Sequence, residues 1–248
     1  MKKVFLIVVC AVFFACNSEN APDCLQTSGG TVTREVELQP FTRILVNEHI
    51  TLIIQQADEQ SVTIETGENL INDVTAEVVN GQLVLTDANN CNYFRDYGIT
   101  KIYVSAPNIT QIRSSSQFDV VSYGVLNYPQ LALVSESFTG DFQSVGNFNV
   151  EVNCETLTVD FNNLSNAQIR GIAQNLSVRF FAGNSRFEGR DLLANTVTVF
   201  HRSSNDIIVN PVQVLRGDIY STGNVISVNR PPTVEVVEHY RGRLVFED

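Results

Sequence analysis

Cysteines, carboxylates and histidines are the residues here whose chemistry depends most on spacing. Cys24 and Cys91 stand in polar, loop-like stretches, APDCLQ and ANNCNYF, whereas Cys154 stands in NVEVNCETLTV among strand-forming residues. Two thiols in loops can close a disulfide, so Cys24 is paired with Cys91, and Cys154 is left as a buried free thiol that packs as a small hydrophobe. Cleaving a polysaccharide would need two carboxylates flanking one bond, or a base beside a cation in one groove. Asp141, Asp160, Glu188, Asp191 and Asp206 are instead spread along the chain without a shared column. The histidines, His49, His201 and His239, lack the short spacing between ligands that a metal site uses. No alternation of Ser, His and Asp suggests a catalytic triad, and no glycine loop is built to cradle phosphate. No catalytic residue, cofactor or metal is expected.

A disulfide presumes export, and the N terminus supplies it. Met1-Lys2-Lys3 precede eleven residues, Val4 to Phe14, without a charge or a proline, and then come Ala15 and Cys16. That is the layout of a secretory signal. As a helix the run spans about 16 Å, roughly half of a bilayer's hydrocarbon core, and is too short to cross it. A small residue directly before cysteine at the end of such a run resembles a bacterial lipobox. On that resemblance Cys16 carries the lipid and residues 1–15 are a lipoprotein signal peptide. An ordinary cut near Ala15 is the competing reading, with Cys10 as apolar filler. Residues 16–30, with one proline and Gly29-Gly30, form a flexible tether, and residues 31–248 the domain. Because Lys2 and Lys3 leave with the leader, the net charge moves from −11 to −13. So acidic a surface repels phosphate backbones and anionic headgroups. Nucleic acid is not an expected partner, and the membrane is met through the N-terminal lipid.

The elements that must position these residues are strands. TVTREVEL, HITLII, SVTIET, GQLVLT and KIYVSA alternate apolar and polar with period two, and no helix-length stretch repeats with period 3.6. Asn80-Gly81 between AEVV and QLVL marks a tight hairpin, since both residues tolerate positive φ. One helical turn is expected near ENLIND. Residues 31–107 read as an antiparallel β region. From residue 108 a strand–turn–strand unit recurs, with small-residue-plus-Asn/Asp pairs at Gly140-Asp141, Ser165-Asn166, Gly183-Asn184, Ser204-Asn205 and Gly223-Asn224. A period near 20 predicts a single-stranded β-helix-like solenoid, with one left-handed corner per coil; a β-sandwich is the alternative. The fold class is all-β.

Stacking the units sorts their side chains. Leu131, Leu133; Leu157, Val159, Phe161; Leu176, Val178, Phe180; and Val197, Val199, His201 fall on one side and form the core. His201 is read as a strand-end residue hydrogen-bonded to a turn. The other side carries Asp160, Arg179 and Phe200 on three successive coils. A carboxylate, a cation and an outward phenylalanine make a candidate binding face for a glycan or a protein. Two short motifs read as coincidence: Arg216-Gly217-Asp218 spells an integrin-type tripeptide, and Asn108, Asn163 and Asn175 each open an N-glycosylation triplet.

CLQTSGGTVTREVELQPFTRILVNEHITLIIQQ, then NCNYFRDY and the Gly-Asn coils, together resemble the head-GIN domain family of putative auto-transporter adhesins over about Cys24 to Leu244. NEHI stands where that family more usually has a glycine-containing triplet, and SSSQFD and NLSNAQ depart from its usual coil motif. The resemblance implies a β-helix-like fold in an exported lipoprotein of the cell envelope, in the outer membrane, with no catalytic or cofactor residue to carry over. A non-catalytic binding or structural module is therefore the function expected, and a β-helix enzyme acting on polysaccharide the alternative. Mass spectrometry of protein purified from its native envelope is expected to find lipidated Cys16 as the mature N terminus. An unmodified N terminus beginning elsewhere would contradict the anchor.

Overall fold

The computed structural model describes residues 23–93, 95–135 and 144–247; Cys16, the leader and the Gly140-Asp141 pair lie outside them. The first half runs through β1 (Thr31–Glu35), β2 (Arg43–Val46), β3 (Ile50–Gln56), β4 (Ser61–Gly67), β5 (Val74–Val79), β6 (Gln82–Asp87), β7 (Thr100–Ala106), β8 (Gln111–Ser114), β9 (Val120–Leu126) and β10 (Gln130–Ser135). Four long strands follow, β11 (Phe148–Phe161), β12 (Ala167–Phe180), β13 (Phe187–His201) and β14 (Ile207–Ile219), and then β15 (Val225–Ser227), β16 (Thr233–Glu238) and β17 (Leu244–Phe246). All belong to one curled sheet. The Asn80-Gly81 hairpin forms, with φ of 51° and 73° and Val79 opposite Gln82. ENLIND supplies a 3₁₀ turn at Ile71–Asp73.

The pairing runs in two series that the long strands join. One passes from β5 through β6, β2, β8 and β10 to the second halves of β11–β14 and ends at β16. The other passes from β1 through β4, β7, β3 and β9 to the first halves of β11–β14, then β15 and β17. Successive long strands pair in parallel, Phe148 beside Ala167, Ala167 beside Phe187, and Phe187 beside Ile207. The chain thus returns alongside itself after about one repeat of the sequence pattern. The expectation of an antiparallel N-terminal region needs correction. β1–β4, β4–β7 and β5–β6 are antiparallel, but β2 lies parallel to β6 and β8, and β3 to β7 and β9. A hairpin is a local signal, whereas these parallel partners are brought together from far along the chain.

The core fills the space between the two series. Leu157, Val159 and Phe161 lie beside Leu176, Val178 and Phe180, which lie beside Val197, Val199 and His201, and all are buried. Phe148 and Phe161 meet across the core at 5.2 Å between ring centroids, and Phe161 stacks on Phe180 at 5.7 Å. His201 continues this ladder edge-on to Phe180 at 6.1 Å. Neither ring nitrogen makes a hydrogen bond of good geometry among the described residues, but the backbone of the turn residues Asn205 and Asn224 lies near enough to favour its charged form. Cys24 and Cys91 are bridged, their Cα atoms 4.4 Å apart, and Cys154 is a buried free thiol. In the chain-entropy model a link across 67 residues restrains the unfolded chain by about 4 kcal/mol.

The turns correct a second expectation. Residues 146, 165, 185, 205 and 223 share one column, because each lies two positions before Phe148, Ala167, Phe187, Ile207 and Val225, which are in register. Ser165-Asn166 and Gly223-Asn224 fit it, but Gly183-Asn184 starts two residues early and Ser204-Asn205 one. Of these turn glycines only Gly183 has positive φ, at 89°. Gly223 is required for a different reason: a Cβ there would lie 2.1 Å from the Asn205 carbonyl oxygen of the preceding coil. The next column is polar, and it ties coil to coil. Asp119 Oδ1 accepts from the Asn147 N–H at 2.9 Å, Asn166 Oδ1 from Arg186 at 3.0 Å, Asp206 Oδ1 from Asn224 at 2.9 Å and Asn224 Oδ1 from Arg243 at 3.0 Å.

Gly217, the centre of the Arg-Gly-Asp tripeptide, lies in β14 at φ 134°, where a Cβ would stand 1.9 Å from the Val199 carbonyl oxygen. Arg216 donates to Thr198 Oγ1 at 3.2 Å, and Asp218 contacts His239 at 2.7 Å. Each of the three residues is thus accounted for by coil packing. Gly217→Ala is expected to lower unfolding free energy in denaturant by about 2–4 kcal/mol. Gly30→Ala, whose methyl meets nothing nearer than 3.9 Å, should stay within about 0.5 kcal/mol of wild type.

Burial lowers the pKa of His201 to about 4 from 6.5, although Asp206 and the Asn224 and Asn205 backbone favour its charged form. The folded chain therefore holds it neutral while the unfolded chain protonates near pH 6.5, so stability is lost as pH falls from 6.5 towards 4. The full loss is about 3 kcal/mol. In urea titrations at pH 7.5 and 5, His201→Leu should lose less stability between the two values than wild type. An equal loss would show that His201 does not titrate between the states.

Candidate functional site

The outward column predicted from strand alternation is in register: Asp160 lies beside Arg179, Arg179 beside Phe200, Phe200 beside Asp218 and Asp218 beside Val237. One ladder step, about 4.8 Å, separates each from the next. Arg179 grips Asp160 with two bonds, Nε to Oδ1 at 2.6 Å and Nη2 to Oδ2 at 2.5 Å. With the Arg179 side chain 45% exposed, such a pair contributes under about 1 kcal/mol. Its effect is to fix where the guanidinium stands, 5.9 Å from the centroid of the Phe181 ring.

Phe200 is half-buried, and its neighbours are aromatic. Phe181 tilts against it at 5.6 Å and Tyr220 at 5.3 Å, and Tyr220 stacks flat on His239 at 4.1 Å and 5°. His239 Nε2 meets Asp218 Oδ1 at 2.7 Å. Phe181 is 45% exposed and Tyr220 41%, and exposed Arg202 joins Phe200 and Tyr220 around a shallow basin. The C-terminal strand β17 does not cover it, because it pairs with β15 on the other series, where Phe246 packs under Arg230 at 3.8 Å. The rings lean on one another, so the strip presents mainly ring edges, hydroxyl and guanidinium groups.

Sequence reasoning missed Phe181, Tyr220 and His239. Each sits in the first turn residue after a strand, where period-two alternation is silent. The backbone N–H groups of Phe181, Arg202, Tyr220 and His239 bond to Phe161, Phe180, His201 and Ile219 of the coil before. The spacing of about 20 residues between these four would have found them.

The remaining candidates do not converge on this strip. Among the described residues no three His, Cys, Asp or Glu side chains are grouped to hold a metal. His49 lies far from His201 and His239 in the chain, and it has φ 65°, the left-handed region that glycine enters most readily.

The fold is thus a curled, largely parallel all-β sheet that carries an outer strip of aromatic and charged side chains. The chain belongs to the family described as putative auto-transporter adhesin, head GIN domain, whose model matches residues 40–231. It is similar in structure to a putative adhesin of Bacteroides fragilis, with TM-score 0.79 and 18% identity over 89% of this chain and 99% of that one. A putative adhesin of Parabacteroides distasonis matches with TM-score 0.66 and 14% identity over 89% and 98% of the two chains. A putative lipid binding protein of the same species matches with TM-score 0.64 and 16% identity over 88% and 97%. At such identities the likeness is one of fold. No curated protein matches the chain.

If the Arg179–Asp160 pair only positions the guanidinium, a double-mutant cycle of Asp160→Ala and Arg179→Ala should give a coupling below about 1 kcal/mol that shrinks in salt. A larger, salt-insensitive coupling would make the pair a structural element of the coil.

Proposed function

We propose that this chain is a non-catalytic lipoprotein of the bacterial cell envelope, held in the outer membrane through Cys16, that acts as an adhesin-type binding module. Its stacked coils form a β-solenoid that serves as a rigid mount, and its ligand, a glycan or a protein, meets the strip of Arg179, Phe181, Phe200, Arg202 and Tyr220. The observation that carries this reading is the strip itself, in which exposed Phe181 and Tyr220 flank half-buried Phe200 beside cations. Exposed aromatic and arginine side chains on a rigid sheet are the usual anchors of binding surfaces. Family membership supports the same reading.

The disposition of the carboxylates favours binding over hydrolysis. Glu151 is bridged to Arg170 at 3.0 Å, Asp160 to Arg179, and Asp206 to Arg186 at 3.6 Å, each across neighbouring coils. Glu188, which lines one cleft with Asp191, is likewise held by an arginine, Arg186 at 3.1 Å.

Binding of the purified protein to glycan arrays and to whole cells tests the proposal. Phe200→Ala and Tyr220→Ala are each expected to weaken binding at least tenfold while the circular dichroism spectrum stays that of wild type. Equal binding by wild type and both variants would remove this strip as the site.

A further inference from the structure

The half of the sheet opposite the strip carries a depression built by two bulges. On one side Ser122, Tyr123 and Gly124 of β9 stand opposite the single Val150 of β11. On the other, Gly189, Arg190 and Asp191 of β13 stand opposite only Ile169 and Arg170 of β12. Surplus residues must leave the plane of the sheet. Between them β11 and β12 keep unbroken register from Phe148 beside Ala167 to Cys154 beside Ala173, which makes a level floor. β9 and β13 lie three ladder steps apart, about 14 Å. The result is a cleft of about 220 Å³ around Ser122, Asn149, Gln168, Arg170, Glu188 and Arg190.

Its chemistry is hydrogen-bonding rather than apolar. Asn149 and Gln168 bring neutral amides, which donate and accept, and Asn149 Nδ2 is oriented by Asp119 Oδ2 at 3.2 Å. Glu188 takes one bond from Arg186 at 3.1 Å, while its other oxygen makes no hydrogen bond and lies 3.8 Å from Arg190 Nε. The cations are already answered, Arg170 by Glu151 and Arg190 by Glu188 and Glu247. Exposed Asp191 on the rim adds a further negative charge. An anion would meet more carboxylates than free cations here. A ligand with many hydroxyls and no charge fits the amides and carboxylates, and the volume is below that of sites for drug-sized molecules.

We infer that this cleft binds one ring of a neutral saccharide, as a second site separate from the aromatic strip. The ring lies on the β11–β12 floor between the two bulges. Its hydroxyls donate to Asp191 and exchange hydrogen bonds with Gln168 and Asn149, and the rest of a longer glycan leaves through the open side.

Saturation-transfer NMR on the full-length protein with methyl glycosides of glucose, galactose, mannose and N-acetylglucosamine tests this. At least one should receive saturation, with affinity in the millimolar range. Gln168→Ala and Asp191→Ala should each weaken it at least fivefold, while Glu59→Gln, in the exposed turn between β3 and β4 and outside the cleft lining, leaves it unchanged. Both substituted side chains are exposed, and unchanged melting temperatures would confirm that the variants fold. No transfer to any of the four sugars would overturn the inference, as would affinities unchanged in both cleft variants or a preference for glucuronic acid over the neutral sugars. Loss of transfer in Phe200→Ala with retention in Gln168→Ala would place the sugar on the strip instead and equally overturn it.

Discussion

Parallel pairing of each long strand with the next, from β11 to β14, is the constraint on which the rest of the structure depends. Once Phe148 lies beside Ala167 and Ala167 beside Phe187, a residue's surroundings are set by residues about 20 positions away. Apolar residues then build continuous inner columns, and cross-coil bonds such as Asp119 to Asn147 and Asn166 to Arg186 can form on the outside. The same closeness restricts the turns. A side chain at Gly223 or Gly217 would run into the carbonyl of the coil before, so stacking distance demands both glycines, and at Gly217 the positive φ does so as well.

The two ends of the stack differ. At the start, the Cys24–Cys91 bridge and the Gln26 bond to the Asn69 carbonyl at 2.9 Å close the domain over the first strands. At the finish, among the described residues β16 pairs only with β14 and β17 only with β15, and Val234, Val237 and Val245 are partly exposed. Terminal repeats have a neighbour on one side alone, so in a nearest-neighbour account the last coil is the least stable.

Much of the fold was legible because period-two alternation reports directly on burial. The column from Leu131 to His201 was correctly placed inside, and Asp160, Arg179 and Phe200 were brought onto one outer line. Long-range pairing was not legible. The parallel partners of β2 and β3 leave no mark in their own residues, so a chain with one evident hairpin read as antiparallel. The turn motif misled in part because small residues occur at several turn positions, and only register shows which share a column. Bulges hid the cleft for the same reason: Ser122–Gly124 and Gly189–Asp191 look like ordinary strand residues until their partners are known. Even His201, correctly placed, meets the turn only through the nearby backbone of Asn205 and Asn224, without a hydrogen bond of good geometry.

The proposed account is that a rigid coil stack positions binding groups and performs no bond-breaking step. Carboxylates answered by arginines across coils are suited to holding a surface in shape. Incubation of the protein with bacterial and host polysaccharides, following both retention of the polymer and the release of reducing ends, tests this most directly. The account predicts saturable retention of at least one polymer, recovered at unchanged length with no new reducing ends. Time-dependent release of reducing ends by the purified protein would contradict it.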